Sequence, residues 1–376
     1  MKAIKSVKNI YSTIVSFLAI ALLSVQVHAT TINKKVVMVI SGYGQQQGEI
    51  TPGYEFDEFS KAYTVFKANG IDVDIASPNG GKVEADKYDA KKSYNAIVLE
   101  DAAVMAKLNN SLPIATLDAK SYDAIFIVGG KGAMFDLPKD VALQSLIANI
   151  YQQQGVVAAV CHGPAALVDV KLNDGSYLVA NKAINSFTNE EENLFGQKWL
   201  SKFDFMLEDK LTERGAKFQS SEIMLSHVAV DDRLITGQNP TSTVDVATAL
   251  VKSLGLTPIP AELDIEDKTM ALVATFMAGE KLAIKQLSDN QEQYHVPLVG
   301  MYGFYYLKIA QTDEQFSNAL SLMTAAQKAI NNPMLDMKIA QTQHKLGQNK
   351  AAKMTLDQLL ITKPDYKPAL DMLKTL

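Results

Sequence analysis

The fold is decided by the stretch VVAAVCHGPAAL, residues 156–167. Its first five residues are apolar, which predicts a strand, Val156–Val160, that is buried on both faces of a sheet. Cys161 and His162 follow at once, and Gly163-Pro164 then open an Ala/Leu-rich helical stretch. Proline suits a first helical turn because no backbone N–H is needed there. This order predicts a sharp strand-to-helix turn that holds the Cys161 sulfur above the sheet.

Outward from this stretch, short β-branched runs alternate with amphipathic stretches between about Lys34 and Leu256. Apolar runs that end in Gly, Ser or Pro predict strands at Val36–Ile40, Val73–Ala76, Ala124–Val128, Val156–Val160 and Leu234–Thr236. Helical periodicity predicts helices at Asp57–Asn69, Val141–Gln153, Pro164–Asp169, Asn189–Leu211 and Thr243–Ser253. The alternation indicates an α/β fold, with a parallel sheet and helices on both sides. Ligands of such sheets bind beyond the carboxyl ends of the strands, which is where Cys161 stands.

The residue pattern of the sequence changes from Thr257 onward. Pro258, Pro260 and the acidic stretch LDIED, residues 263–267, indicate a linker. Beyond it the β-branched runs vanish and the remaining sequence is helical in period. We therefore expect a first domain over residues 30–256 and a small all-α domain over residues 257–376.

The helical part contains a short internal sequence repeat. Leu307–Thr312 recurs as Met337–Thr342, and a second alignment pairs Ala319 with Ala352. The later unit has small residues at offsets that resemble a tetratricopeptide helix pair, and Pro364 would end its second helix. A plain helical hairpin is the alternative, because fewer than three repeats rarely stand alone. Either structure would offer a surface for a protein partner or for self-association.

The first 29 residues predict a signal peptide. Lys2, Lys5 and Lys8 form a basic region, an apolar run follows, and small residues stand at Val27 and Ala29. The apolar run is shorter than the roughly 20 residues that span a bilayer, although an uncleaved anchor is the alternative. We expect an exported, periplasmic protein that meets the membrane only through this segment.

Composition excludes several classes of protein. The 376 residues carry 36 basic and 41 acidic side chains, for a net charge of −5, without the clustered positive charge of a nucleic-acid binder. One cysteine rules out an intramolecular disulfide framework and any site made of several cysteines. With only five histidines as well, no metal site is expected.

The chemistry of the sequence points to Cys161. A helix N-terminus directed at the sulfur would stabilise a thiolate, and a lone buried structural cysteine is the alternative. The predicted strand Ala124–Val128 ends in Gly129-Gly130-Lys131-Gly132. Glycines in that place let backbone N–H groups approach a bound oxyanion, although such a loop is weak evidence alone.

These residues carry a resemblance to a known family, which extends over about residues 36–255. The domain resembles the ThiJ/PfpI family (the DJ-one superfamily), in its heat-shock chaperone/glyoxalase III branch. The matching stretches, in chain order, are Gly53–Glu58, Tyr63–Phe66, Asp74–Pro78, Tyr122–Phe126, Gly129–Pro138, Ala159–Ala165 and Thr236–Pro240. The resemblance implies a flavodoxin-like, doubly wound parallel sheet of the class I glutamine-amidotransferase type. The helical extension lies outside the family pattern.

The resemblance also implies a role for each matching residue. Cys161 matches the nucleophile and His162 the histidine that follows it. Glu58 matches the acid that hydrogen-bonds the thiol, and Glu192, in the run Glu190–Glu192, matches the acidic partner of the histidine. Gly129 and Gly130, together with the His162 backbone N–H, match the substrate and oxyanion site. Lys131 and Ser186 depart from the family, where His and Gly are common.

The activity implied by the resemblance needs no cofactor. It is a glyoxalase III-type conversion of small reactive aldehydes, such as methylglyoxal to lactate, or a related deglycase activity in stress protection. Two alternatives stay open: a redox-sensing holdase chaperone that uses the cysteine as its sensor, and a cysteine amidohydrolase or peptidase that shares the Cys–His turn. A glutaminase would carry a His-x-Glu pair late in the domain, whereas His227 is followed by Val228-Ala229.

Overall fold

A seven-stranded sheet forms the centre of the computed structural model, which describes residues 34–376. Its strands in chain order are β1 (Lys35–Val39), β2 (Asp72–Ser77), β3 (Leu112–Pro113), β4 (Ala124–Ile127), β5 (Val156–Val160), β8 (Val228–Asp231) and β9 (Leu234–Gly237). Their order across the sheet is β3-β2-β1-β4-β5-β9-β8. All neighbours pair in parallel except β8 and β9, which form an antiparallel hairpin at one edge. Two short strands, β6 (Ala183–Ile184) and β7 (Lys217–Phe218), pair separately.

Fourteen helices of the α type occur in residues 34–376. Those of the α/β part are α1 (Phe56–Ala68), α2 (Ser93–Glu100), α3 (Ala102–Asn109), α4 (Val141–Gln152), α5 (Asn189–Phe195), α6 (Leu207–Glu213) and α7 (Thr243–Ser253). Those that follow are α8 (Ile265–Met277), α9 (Leu282–Asp289), α10 (Val296–Tyr306), α11 (Asp313–Ile330), α12 (Pro333–Lys345), α13 (Asn349–Thr362) and α14 (Lys367–Leu373).

Alternate residues of the central strands belong to two apolar layers, one on each face of the sheet. Ile125 and Ile127 of β4 face α4, where Leu143 is fully buried. Ala124 and Phe126 face the other side, where Phe66 of α1 packs edge-on against Phe126 with ring centroids 5.5 Å apart. The same alternation along each strand explains the continuous apolar runs, because both faces of the sheet are covered. The predicted doubly wound α/β fold is thus confirmed.

The five predicted strands all occur, and four of the five predicted helices occur within a few residues of the prediction. The fifth prediction, a single helix over Asn189–Leu211, is wrong. The segment forms α5, breaks after Gly196, and resumes as α6. Glycine disfavours helix by about 1 kcal/mol. The side chains between the two helices turn inward instead, and Phe203 packs against Phe135 at 5.4 Å between ring centroids. The sequence analysis also missed α2, α3 and the edge strands β3 and β8.

The helical part is built largely from consecutive helices that pack against each other. Helix α10 packs against α11 and α12 against α13. Ala319 in α11 and Ala352 in α13 are both fully buried, which fits their alignment. The six-residue repeat has no structural counterpart, since Leu307–Thr312 joins α10 to α11 while Met337–Thr342 lies inside α12. The tetratricopeptide assignment and the domain boundaries remain predictions.

The predicted acidic linker proves to be partly helical. Asp264 caps α8 by accepting hydrogen bonds from the Glu266 and Asp267 N–H groups at 2.7 and 2.9 Å. Asp267 then pairs with Lys61 of α1 at 2.6 Å, and Glu266 pairs with Lys92 at 2.9 Å. The described residues, 34–376, accordingly belong to one compact unit.

The predicted signal peptide, residues 1–29, lies outside the described residues. Within residues 34–376 no helix combines the length and apolarity that a bilayer crossing requires.

Candidate active site

Cys161 occupies the strained turn that the sequence predicts. Its φ of +59° is in the left-handed region, which costs a residue with a side chain about 1–2 kcal/mol. Neighbouring backbone holds it there: the Cys161 N–H donates to Gly237 O, and its carbonyl accepts from the Phe187 N–H, both at 2.9 Å. Gly163 is required after the turn, because a Cβ there would lie 2.5 Å from Ile127 O. The cysteine is 4% exposed.

His162 connects the thiol to a carboxylate. Its Nδ1 lies 3.3 Å from Cys161 Sγ, and its Nε2 lies 2.7 Å from Glu192 Oε2. A carboxylate at Nε2 places the imidazole proton on that nitrogen, which leaves Nδ1 free to accept the thiol proton. Phe187 packs against the imidazole at 4.6 Å between ring centroids. The three side chains therefore form a relay from sulfur to carboxylate, with His162 and Glu192 both buried.

The three consecutive acids at the start of α5 have three different environments. Glu190 is exposed, whereas Glu191 and Glu192 are buried. Glu191 accepts hydrogen bonds from Thr188, Met224, Gln238 and Asn239, and so joins three segments of the chain. Only Glu192 reaches His162. The structure therefore places the predicted partner, Glu192, at the histidine.

Glu58 is a second acidic group beside the sulfur. It is fully buried at the start of α1, and its Oε2 accepts a hydrogen bond from the Gly129 N–H at 2.8 Å. Burial, reinforced by the nearby Glu55, raises the pKa of Glu58 well above its usual range. A proton on Glu58 removes the repulsion between two neighbouring buried acidic groups.

Burial also raises the pKa of the Cys161 thiol, and the Glu58 carboxyl adds to the rise. This rise is opposite to the stabilised thiolate that the sequence predicts. The stretch after the turn is a five-residue 3₁₀ helix, Gly163–Leu167, which aligns few peptide dipoles toward the sulfur. Lys131 is the nearby group that lowers the pKa of the thiol.

The glycine loop divides its N–H groups between two tasks. The Gly129 N–H is committed to Glu58, so Gly129 positions the acid and does not donate to a substrate as expected. Any Cβ at Gly129 would lie 2.6 Å from Glu58 Oε2. Gly130 has a φ of +92°, and a Cβ there would lie 2.5 Å from Glu55 N. Within residues 34–376 the Gly130 and His162 N–H groups donate to no other group, which leaves both for an oxyanion.

Sequence reasoning missed Glu55 altogether. Burial first, and then the carboxylates of Asp57 and Asp86, raise the pKa of Glu55 to about 7. Lys131 opposes this rise, so its ammonium group lies near both Glu55 and the thiol. No sequence pattern marks Glu55 as special, because its environment comes from three separate loops. Lys131 was noted in the sequence only as a departure from the family.

A cavity of about 230 Å³ lies where helices α8 and α10 meet the α/β part. Its wall includes Glu58, Phe195 and Met270 together with Tyr302 and Tyr305. Glu58 thus belongs both to the environment of the thiol and to the wall of this cavity. Within residues 34–376 there is no cluster of three or more His, Cys, Asp or Glu side chains that could hold a metal ion.

A strained cysteine between a parallel strand and a helical turn, followed by a carboxylate-bound histidine, defines the class of α/β proteins with a nucleophile elbow. Within that class, the chain belongs to the DJ-1/PfpI family, whose model matches residues 49–253. The family resemblance inferred from the motifs is thereby confirmed.

Similar proteins cover the α/β part and not the whole helical extension. A protein of Schizosaccharomyces pombe named glutathione-independent glyoxalase hsp3101 is 34% identical over 235 residues, which are 58% of this chain and 95% of that protein. Glyoxalase 3 of Candida albicans is 30% identical over 234 residues, 58% of this chain and 97% of that protein. The X-ray structure of Francisella tularensis Rapid Encystment Protein 24 kDa superposes with a TM-score of 0.56 at 34% identity, covering 59% of this chain and 99% of the other.

Proposed function

We propose that the chain is a cofactor-independent glyoxalase that converts methylglyoxal and similar 2-oxoaldehydes into 2-hydroxy acids. The observation that carries the proposal is the position of the Cys161 sulfur between a base and an acid. His162, bound to Glu192, contacts the sulfur, and Glu58, whose pKa is raised, lies beside it. The relatives named glyoxalase match this chain over nearly their whole length, which supports the same conclusion.

The first step is addition of the thiol to the aldehyde carbon. His162 Nδ1 takes the proton from Sγ, and the new C–S bond forms as the carbonyl π bond breaks toward oxygen. The Gly130 and His162 N–H groups stabilise the negative oxygen that develops. The imidazolium then returns its proton to that oxygen, which gives a neutral hemithioacetal and restores His162 as a base.

The second step moves a proton between adjacent carbons. His162 removes the hydrogen on the carbon that bears sulfur, and the electron pair forms the C=C bond of an enediolate as the π bond of the neighbouring carbonyl moves onto its oxygen. Glu58 delivers its proton to the neighbouring carbon, because its raised pKa favours the protonated carboxyl. The hydroxyl proton on the sulfur-bearing carbon moves to the neighbouring oxygen, the proton on His162 passes back to Glu58, and the product is a thioester of a 2-hydroxy acid. One carbon is oxidised and the other reduced, so no external electron carrier takes part.

The third step is hydrolysis of the thioester. Water activated by His162 attacks the thioester carbonyl, whose oxygen again occupies the site of the two N–H groups. The C–S bond breaks, the thiol regains a proton, and the 2-hydroxy acid leaves. For methylglyoxal the product is lactate.

Two substitutions test the mechanism with purified protein, with loss of methylglyoxal and formation of lactate as the readouts. Cys161→Ser should abolish turnover, and Glu58→Gln should lower it by about 10²–10⁴-fold, since it removes the proton donor. His227→Asn is the control and should keep the rate, because within residues 34–376 no hydrogen bond joins the half-buried His227 side chain to this relay. Full activity in Cys161→Ser would overturn the covalent mechanism.

Burial of the thiol favours the glyoxalase over a redox-sensing holdase. Peroxide oxidation selects exposed cysteines of low pKa, whereas Cys161 is 4% exposed and its pKa is raised. Mass spectrometry of Cys161 after mild peroxide, beside aldehyde turnover of the same sample, separates the two functions. A parallel assay with glutamine and unfolded peptides tests the amidohydrolase and peptidase alternatives.

We also propose that residues 1–29 direct export to the periplasm, since their pattern is that of a signal peptide. Fractionation of cells that express the chain with and without this segment tests the proposal. Retention of both forms in the cytoplasm would contradict it. The helical extension, residues 257–376, is proposed to carry the surface for a protein partner or for self-association, and the mass of the purified protein in solution tests the latter.

A further inference from the structure

Gly196 has no conformational reason to be a glycine. Its φ and ψ, −93° and −4°, lie in the right-handed helical region that any residue can adopt. It stands at the C-terminal end of α5, the helix that carries Glu192, and its N–H donates to Glu192 O at 2.7 Å. The reason for glycine must therefore be space.

The space next to Gly196 is filled by the Glu192 carboxyl group. A Cβ on residue 196 would lie 1.6 Å from Glu192 Oε1, 2.5 Å from its Cδ and 2.7 Å from its backbone O. None of these distances is compatible with two non-bonded atoms, and the two shortest are to the carboxyl group. A side chain at position 196 would therefore have to displace the carboxyl, which sits 2.7 Å from His162 Nε2. Glu192 Oε1 is buried and has no hydrogen-bond partner in residues 34–376, so nothing but packing holds that oxygen in place.

We propose that Gly196 is a positioning residue of the active site. Its missing side chain leaves the room in which the Glu192 carboxyl turns back along α5 to bind His162. The residue acts on Cys161 only through Glu192 and His162. The inference rests on the proposed function in one respect, namely that the His162–Glu192 pair serves the Cys161 thiol.

The test measures the rate at which iodoacetamide alkylates Cys161 as a function of pH, with the full chain. This readout needs no aldehyde, so it is independent of glyoxalase activity. Glu192→Gln should raise the pH at which the thiol becomes reactive by about one unit, a tenfold lower rate at neutral pH. Gly196→Ala should give the same shift. Asn193→Ala, exposed on the same helix, is the matched control and should behave as wild type.

Combined variants separate positioning from a general effect. Gly196→Ala together with Glu192→Gln should be no slower than either alone, because both changes remove the same contact. Gly196→Ala with Glu192→Asp should recover part of the rate, since the shorter acid leaves room for the methyl group. A wild-type alkylation profile in folded Gly196→Ala would overturn the proposal. So would a further, multiplicative loss in the combination with Glu192→Gln.

A failure to fold would also be decisive. If Gly196→Ala melts well below wild type, the companion change Glu192→Gly, which deletes the opposing carboxyl, should restore the melting temperature. If it does not, the glycine serves the backbone and the proposal is wrong. Normal alkylation of the wild type without aldehyde turnover would refute the proposed function while leaving this inference intact.

Discussion

The Lys61 ammonium group on α1 lies 2.6 Å from the Asp267 carboxylate on α8, with both side chains about nine-tenths buried. Lys61 follows Glu58 by one helical turn. Asp57, the neighbour of Glu58, binds Lys92, which also binds Glu266 of α8. The helix that presents Glu58, the proposed catalytic acid, is therefore tied to the helical extension at two points, and the extension helps to support the candidate site.

Asp267→Ala should destabilise the protein by about 3 kcal/mol, because it leaves the buried Lys61 charge without a partner. Urea unfolding measures the change. Asp204→Ala is the control: Asp204 pairs with Lys139 at 2.8 Å, but both side chains are 61% exposed, so the loss should stay below about 1 kcal/mol. Equal losses in the two variants would show that the Lys61–Asp267 pair is not an anchor.

Glu191 and Glu192 should respond in opposite ways to the same substitution. Glu191→Gln replaces one accepting carboxylate oxygen with an NH₂ group, which then faces the N–H donors that bind Glu191. The free energy of unfolding should therefore fall by about 2 kcal/mol. Glu192→Gln loses the charge beside one histidine and should lower the rate of aldehyde turnover by about 10²–10⁴-fold with a smaller loss of stability. Paired measurements of melting temperature and turnover test this. The reverse pattern would mean that the roles of the two acids are exchanged.

Tyr302 and Tyr306 form a matched pair on α10. Their rings pack 5.9 Å apart, yet the Tyr306 hydroxyl donates to Glu222 at 3.2 Å, whereas the buried Tyr302 hydroxyl has no partner in residues 34–376. Tyr302→Phe should therefore be neutral or stabilise by up to about 1 kcal/mol, and Tyr306→Phe should destabilise by about 1 kcal/mol. Both are measured by urea unfolding. A larger loss in Tyr302→Phe would show that its hydroxyl is satisfied, for example by a buried water.

Glu55 should make the free energy of unfolding of the protein depend on pH. Its pKa of about 7 in the folded chain exceeds the ordinary value of 4.5 because of burial and the nearby carboxylates. The stability due to this group is fully present below pH 4.5 and is lost as the pH rises through about 7, since only the unfolded chain then ionises freely. Between those limits wild type should lose about 3 kcal/mol relative to Glu55→Gln. Parallel unfolding curves at all pH values would contradict the assignment.

Much of the fold is predictable because it depends on local pattern. The apolar run Val156–Val160 and the Gly-Pro that follows the Cys-His pair specify a buried strand and a turn without reference to other segments. The helix Thr243–Ser253 was predicted with its observed ends for the same reason. Asn189–Leu211 failed because its helical period continues through Gly196, while inward packing of aromatic side chains breaks the helix.

The sequence predicted which residues belong to the candidate site, but not what each of them does. Motifs indicated Cys161, His162, Glu58 and Glu192, but three adjacent acids are equivalent until the fold chooses one of them. Gly129 was assigned to the substrate, whereas the structure uses its N–H to hold Glu58. The protonation of the thiol was predicted in the wrong direction, because burial is a property of the assembled fold and not of the turn.

The amino-acid sequence by itself determined where strands alternate with helices and that a cysteine would stand at a kinked strand end, since period, turn residues and glycine spacing act over a few neighbouring positions. The tertiary structure decided which carboxyl group touches the sulfur, which one holds the histidine, and that α8 braces α1 through residues 206 positions apart. These features depend on desolvation and on distances between segments that meet only after folding, and no short stretch of sequence encodes them.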